Sequence, residues 1–442
     1  LSRKPQVYLL PIRGMVCADC EKLAARVAEL EKLVVELQKR LLAYENANTP
    51  PSKSRRERNP REPTGNPRGA PRGHEGVTRE IPEPNRIVDV EPLEKCGKCK
   101  ALLGKPDGFL DRLITELLFN PEFLVTLFRL PVHTCKKCGT ENVASHPDCP
   151  EKGLFGYNVM ALVAMLKHKA RVPYKKVCEI LEQLFHLNIT PATALELDTR
   201  TATKLSREYE KFKGNVQNSN HLNIDETSAN VNGERYNTWV FVNEDTTLLV
   251  TRKSRGKKVL EEILGKIFKG IIGCDGHKAY SNFTRWLQRC WAHLLREAKH
   301  LAENLPEALP LYHELKELYE WGTERYHKRL SKKQRYSMWV HARQRLRKIL
   351  ALYARVKSLE KFLEKIRNGF NHWFTFILHP KIEPTNNIAE RGIRETVVQR
   401  KIYGCLRNEK GTKNHDTLSS LIATWQQRGL NPYTQILTTL RS

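Results

Sequence analysis

The segment from His221 to Phe283 constrains this chain more than any other, because strand-like runs alternate with one helix and carry an acidic residue at each end. It opens HLNIDETSANVNG, where Leu222 and Ile224 alternate with polar neighbours. Asp225 is therefore expected late in a short buried strand, followed by Glu226 and Thr227. Asn232-Gly233 forms a hairpin turn, and two β-rich runs follow, YNTWVFVNE and TTLLVTRK, parted by Asn243-Glu244-Asp245. SRGKKVLEEILGKIF reads as a helix with a basic start. Gly270 then releases the chain into GIIGCDGHKAY, a short apolar strand ending at Asp275.

Strand, strand, strand, helix, strand is the order of the ribonuclease H-like α/β fold, in which the first and fourth strands are neighbours. That order brings Asp225 and Asp275 together. Either residue alone is an ordinary turn or cap residue, but two carboxylates in one partly buried site repel unless a cation separates them. Mg²⁺ or Mn²⁺, hard and oxygen-seeking, suits such a place. The rest of the composition agrees with a polyanionic partner: 75 Lys and Arg against 49 Asp and Glu leave +26 over 442 residues, and nucleic acid is the usual partner of such an excess. No run approaches the roughly 18 apolar residues of a membrane span and no signal peptide is evident. A cytoplasmic, nucleoid-associated location in a prokaryotic cell is the expectation.

Around this segment the chain divides into regions. Residues 1–14 show no pattern and read as an upstream extension. In 15–45, Val16, Cys20, Leu23, Val27, Leu30, Val34, Leu37, Leu41 and Tyr44 repeat at spacings of four and three, the seam of a coiled coil, with an amphipathic helix packed on its own domain as the alternative. Cys17 and Cys20 lie within this helix and read as structural. Residues 46–90 are rich in Pro, Gly and Arg and poor in large apolar side chains, a basic flexible arm suited to salt-sensitive phosphate contact. In 91–150, Cys96-x-x-Cys99 and Cys135-x-x-Cys138 look like the two knuckles of a zinc ribbon, with His146 and Cys149 as competing ligands. Between the knuckles FLDRLITELLFNPEFLVTLFRL reads as a helical insertion.

Residues 151–215 are helical, and Asn188-Ile189-Thr190-Pro191 joins two of the helices with Thr190 as a cap and Pro191 in the first turn, a helix-turn-helix silhouette. Residues 216–404 hold the ribonuclease H-like region. Cys290-x-x-His293, with Arg296 and Lys299 on the same helix, has no obvious metal partner and reads as structural support near the site. The basic stretch 301–370 reads as a helical insertion with a face for DNA, too basic for a buried core helix. In Lys381–Arg394, Thr385 or Asn386 caps a new helix, and Glu390 supplies the carboxylate the two aspartates lack; Glu383 and Glu395 are the alternatives.

The phrases IDET, CDGHKAY, RCWAHLLREAK, PTNNIAERGIR and RKIYG, preceded by two CxxC knuckles and a coiled coil, resemble a transposase of the insertion-sequence 66 family. The likeness runs from Met15 to the tail, where residues 405–442 resemble the family's short C-terminal helical domain. It departs from the family in the long gap between knuckles and the Pro-rich basic arm. The resemblance implies that Asp225, Asp275 and Glu390 are a DDE triad holding two Mg²⁺ or Mn²⁺ ions, with Zn²⁺ structural at Cys96, Cys99, Cys135 and Cys138. It implies cleavage at the ends of the insertion sequence and joining of the 3′-OH ends to target DNA. Arg391, Arg394 and Lys401 are then candidates to contact DNA, and a homo-oligomer through the coiled coil and accessory proteins of the same element are implied partners. Two rival readings are a structure-selective nuclease on the same fold and a catalytically decayed DNA-binding protein.

Overall fold

The computed structural model describes residues 18–44, 101, 124–134, 138, 141–143, 145–281, 283–326 and 329–442. Residues 1–54 and 125–442 belong to one compact unit, and Arg55–Leu124 to a second that lies almost wholly outside the described residues. The first unit begins with helix α1, Ala18–Tyr44, whose seam residues Leu23, Val27, Leu30, Val34 and Leu37 are all exposed. Strands β1, Val132–Thr134, and β2, Glu141–Val143, pair antiparallel and so flank the second cysteine knuckle. Cys138 is exposed, while Cys96, Cys99 and Cys135 lie outside the described residues. Of the helical insertion expected between the knuckles, residues 109–123 lie outside the described residues, and residues 124–130 are not helical, with Leu124, Val125 and Leu127 exposed.

Helices α2 (Tyr157–Ala164), α3 (Tyr174–Phe185), α4 (Pro191–Lys204) and α5 (Ser206–Gln217) follow. Thr190 caps α4 as expected, its side chain accepting from the Thr193 amide with Pro191 at the first position. These helices share one core with the two last helices, α13 (Glu409–Gln427) and α14 (Pro432–Arg441), in which Met160, Leu181 and Leu197 meet Leu421, Trp425 and Ile436.

The sheet contains β3 (His221–Val231), β4 (Glu234–Val242), β5 (Thr247–Arg252), β6 (Ile271–Cys274) and β7 (Trp286–Arg289), in the order β5-β4-β3-β6-β7. β3, β4 and β5 pair antiparallel, and β6 and β7 extend the sheet parallel to β3, an arrangement that fits a ribonuclease H-like domain. β3 is longer than the sequence suggests, so Asp225 stands near its middle rather than late in a short strand. The two-residue alternation of a strand then divides its side chains between faces. Leu222 and Ile224 join Trp239, Phe241, Leu248 and Val250 on the face covered by α5 and helix α6, Lys257–Leu264. Asp225 stands opposite Val240, whose face is covered by helix α12, Asn387–Tyr403, through Ala389 and Ile393. Gly392 lets that helix approach, since a Cβ there would lie 3.2 Å from both Val240 Cγ2 and Val242 Cγ2.

Strand β5 is an edge, and α13 seals it with side chains. The Thr251, Leu249 and Thr247 amides donate to Asp416 Oδ2, Ser420 Oγ and Thr424 Oγ1 at 2.7, 2.8 and 3.0 Å. The match is geometric: four helical residues advance about 6 Å, and two strand residues about 6.7 Å.

Between β7 and α12 lie α7 (Trp291–Asn304), α8 (Ala308–Tyr326), α9 (Lys332–Leu352), α10 (Glu360–Asn368) and α11 (Thr375–Leu378). The expectation that this stretch is too basic for a core helix is overturned. Leu311, Leu315 and Leu318 of α8 and Met338, Ala342, Leu346 and Ile349 of α9 recur at helical spacing and are buried together with Trp291 and Phe374. Arg335 of α9 is buried with them, its Nη1 donating to the Ile377 carbonyl at 3.2 Å, while other basic residues lie on the outer faces: Arg343 sits over the rings of Trp339 and Phe370, and Arg345 over Trp321.

Candidate active site

Three elements deliver acidic side chains to one end of the sheet: β3 brings Asp225, the turn after β6 brings Asp275, and the first turn of α12 brings Glu390. Their mutual proximity shows in the Asp225 carboxyl. Burial pushes it up to about 8, and the negative charges of Glu226, Asp275 and Glu390 push the same way, against the bond it accepts from the Glu226 amide. A buried carboxyl crowded by neighbouring carboxylates fits the hard-cation set expected from the sequence.

The site is built by buried bonds that the chain order hides. Asn386, ahead of α12, does not use its side chain as a cap; its Nδ2 donates to the Ile224 carbonyl at 2.8 Å and its Oδ1 accepts from Asn223 Nδ2 at 2.8 Å. The start of α12 is thereby pinned beside Asp225. Asp275 accepts from the His277 amide at 2.8 Å, which fixes the turn after β6. Glu226, on the opposite face, accepts from Tyr280 Oη at 2.6 Å and pairs with Arg255 at 2.8 Å, so its charge is held in place behind the site.

The alternatives to Glu390 are placed elsewhere. Glu395 accepts two bonds from the Arg171 guanidinium, each 2.9 Å long, and Glu383 lines a separate cavity of about 570 Å³ with Tyr319, Tyr326 and Arg335. Arg391, Arg394 and Lys401 are exposed along α12.

Two groups at the site were not assigned to it from sequence. Arg289, at the end of β7, is buried, and although burial lowers its pKa, Asp275 and Cys274 favour its charge. His293 is the other. No metal partner for Cys290 and His293 was evident, yet Glu390 supplies one from far along the chain: His293 Nδ1 lies 3.4 Å from Glu390 Oε1, and Cys290 Sγ completes a group whose ligand atoms are all within 4.8 Å of one another. The spacing of Cys290 and His293, one helical turn apart, was visible; the partner was not.

Two curated relatives match, both from Sinorhizobium fredii (strain NBRC 101917 / NGR234). The uncharacterized protein y4jD is 26% identical over 199 residues, 41% of this chain and 39% of that protein. The chain thus spans about two fifths of that relative's length. The uncharacterized protein y4qI is 22% identical over an alignment of 459 positions, 93% of this chain and 82% of that protein. The family model described as transposase IS66 family matches residues 152–414, which takes in the helices α2–α5, the sheet and all three converging carboxylates, and the chain belongs to that family.

Proposed function

We propose that this transposase cuts DNA at the ends of its insertion sequence and joins the freed 3′-OH ends to target DNA, with Asp225, Asp275 and Glu390 as its catalytic carboxylates. The observation that carries this reading is the convergence of those three side chains, from β3, the turn after β6 and α12, on one end of the sheet. The acids fit two Mg²⁺ or Mn²⁺ ions, which when bound supply Lewis-acid stabilisation of phosphoryl charge and lower the pKa of water.

The chain's own residues do the rest. Asn386 and Gly392 set the height of α12 over the sheet, so that Glu390 faces Asp225. Arg391, Arg394 and Lys401 lie exposed on the same helix and would neutralise backbone phosphates near the cut. The +26 charge supplies affinity that is independent of sequence and weakens with salt.

Supporting parts are proposed likewise. Zn²⁺ at Cys96, Cys99, Cys135 and Cys138 is favoured by the two CxxC spacings of the sequence. A homo-oligomer through α1 is favoured by its exposed apolar seam. Accessory proteins of the same element and a cytoplasmic, nucleoid-associated location belong to the same reading; among the described residues no helix is long and apolar enough to cross a membrane.

The test is incubation of the protein with duplexes carrying the element's ends and with Mn²⁺. A transposase gives 3′ nicks and then joined product. Nicks without joining would identify a nuclease on the same fold, and retention of the duplex without nicking a decayed DNA-binding protein.

A further inference from the structure

We propose that Cys290 Sγ, His293 Nδ1 and Glu390 Oε1 form a second metal site, selective for a thiophilic divalent cation of the Zn²⁺ class, whose occupation draws Glu390 away from Asp225 and Asp275. The first half stands on the geometry of the three side chains alone. The second half rests on the catalytic reading of Glu390 given above.

The three ligand atoms already surround one point. All lie within 4.8 Å of one another, and the His293–Glu390 pair is at 3.4 Å. Tetrahedral zinc bound by sulfur, nitrogen and oxygen requires ligand atoms about 3.3–3.8 Å apart, a spacing the His293–Glu390 pair already has and that small side-chain rotations extend to the whole set. Neither His293 Nδ1 nor Glu390 Oε1 has a hydrogen-bond partner, although both atoms are buried. Leaving two such atoms unsatisfied is costly, and a shared cation satisfies both.

The helix supplies the rest. Cys290 occupies the N-cap position of α7, and its sulfur accepts from the Asn386 amide at 3.1 Å, with the Ala292 and His293 amides also turned toward it. Burial raises the Cys290 pKa, and these amides oppose that rise, favouring the thiolate that is the ligand form. Between the two ligands, Trp291 points into the core of α7–α11 and donates to the Trp373 carbonyl at 2.6 Å, which fixes the rotation of the helix. Burial lowers the His293 pKa, leaving the neutral ring that a metal takes. A thiolate and an imidazole bind Zn²⁺ far better than Mg²⁺, so the two sites share one carboxylate but differ in the ion they select.

Cobalt is the probe, because thiolate bound to Co²⁺ gives a charge-transfer absorption that carboxylates do not. The full chain, saturated beforehand at the proposed cysteine knuckles by one equivalent of Zn²⁺, is expected to take up one equivalent of Co²⁺ with that absorption, in the presence of excess Mg²⁺. Cys290→Ser keeps an acceptor for the Asn386 amide and is expected to abolish the added absorption with unchanged circular dichroism; His293→Gln is expected to abolish it too, and stands in should the serine variant not fold. Added Zn²⁺ is expected to inhibit Mn²⁺-supported cleavage in the native protein, and any cleavage retained by Cys290→Ser is expected to resist it. No added absorption in the native protein, or one that survives both substitutions, overturns the site. Zinc inhibition that persists undiminished in Cys290→Ser overturns the coupling to Glu390. A protein that never cleaves DNA but shows the cysteine-dependent absorption removes the catalytic reading and leaves the metal site standing.

Discussion

Asn386 donates to the Ile224 carbonyl and accepts from the Asn223 amide, both at 2.8 Å, so the residue ahead of α12 grips β3 immediately before Asp225. The β3–β6 ladder has its last residue pair at Asn223 and Gly273, and Asn386 takes over where the strand pairing stops. Asn386→Ala leaves buried polar groups on both sides without partners. A loss of about 1–3 kcal/mol of stability is expected, together with reduced cleavage although every carboxylate is intact. Urea denaturation and the end-cleavage assay measure the two; native stability and native cleavage in this variant would show that the grip is dispensable.

Replacing Asp225 or Asp275 by Asn, or Glu390 by Gln, should lower cleavage by orders of magnitude while DNA binding persists. Any two of these together should be hardly worse than one, because groups that act as a unit do not contribute additively. Glu383→Gln should cleave nearly normally, as its side chain lines a different cavity. Glu395→Gln weakens the pair with Arg171 and should affect stability by at most about 1 kcal/mol, the pair being partly exposed. Gel-based cleavage and binding on the same duplex separate these outcomes; loss of cleavage in Glu383→Gln or Glu395→Gln with retention in Glu390→Gln would move the third carboxylate.

The legible part of the site was the local part. Asp225 and Asp275 announce themselves because each ends or interrupts an apolar run, and strand order makes neighbours of β3 and β6. Strand β7 carries no strand signature in its sequence, because in WLQR Gln288 and Arg289 are buried polar residues, satisfied by contacts such as Gln288 Nε2 to the Trp373 carbonyl at 3.1 Å. Asn386 was readable as a cap and turned out to bond across the fold, since an Asn before a helix looks the same whether its amide faces its own helix or a strand 162 residues earlier. The basic helices α8 and α9 misled through composition, because an apolar stripe of one residue per turn is enough to bury a helix whose other faces are charged.

Asp416 gives the fold a pH dependence of known sign. Burial raises its pKa to about 7 despite the two bonds it accepts from Thr251. The folded chain therefore holds a proton that the unfolded chain releases near pH 4, and the contribution to stability is full below that pH and lost as pH rises toward 7. Asp416→Asn should remove this component. The stability difference between native and variant should change by up to about 1.4 kcal/mol per pH unit across that window, and melting curves from pH 4.5 to 7.5 that run parallel would refute the assignment.

Glutamate at both Leu30 and Leu37 of α1 places charge on an exposed apolar seam. If that seam joins two copies, burial worth about 1.5–3 kcal/mol per leucine is lost, and sedimentation should show a shift toward monomer. An unchanged oligomer in the doubly charged variant would place the contact elsewhere.

The side chains with which α13 seals β5 also impose an order on synthesis. Thr247, Leu249 and Thr251 leave the ribosome more than 160 residues ahead of the partners that satisfy their amides. Until those partners arrive, the nascent sheet carries an open border able to pair with any passing strand. A transcript that stops short of α13 would therefore yield a sticky fragment rather than a weakened enzyme, and a cell could clear it before it ever reached DNA.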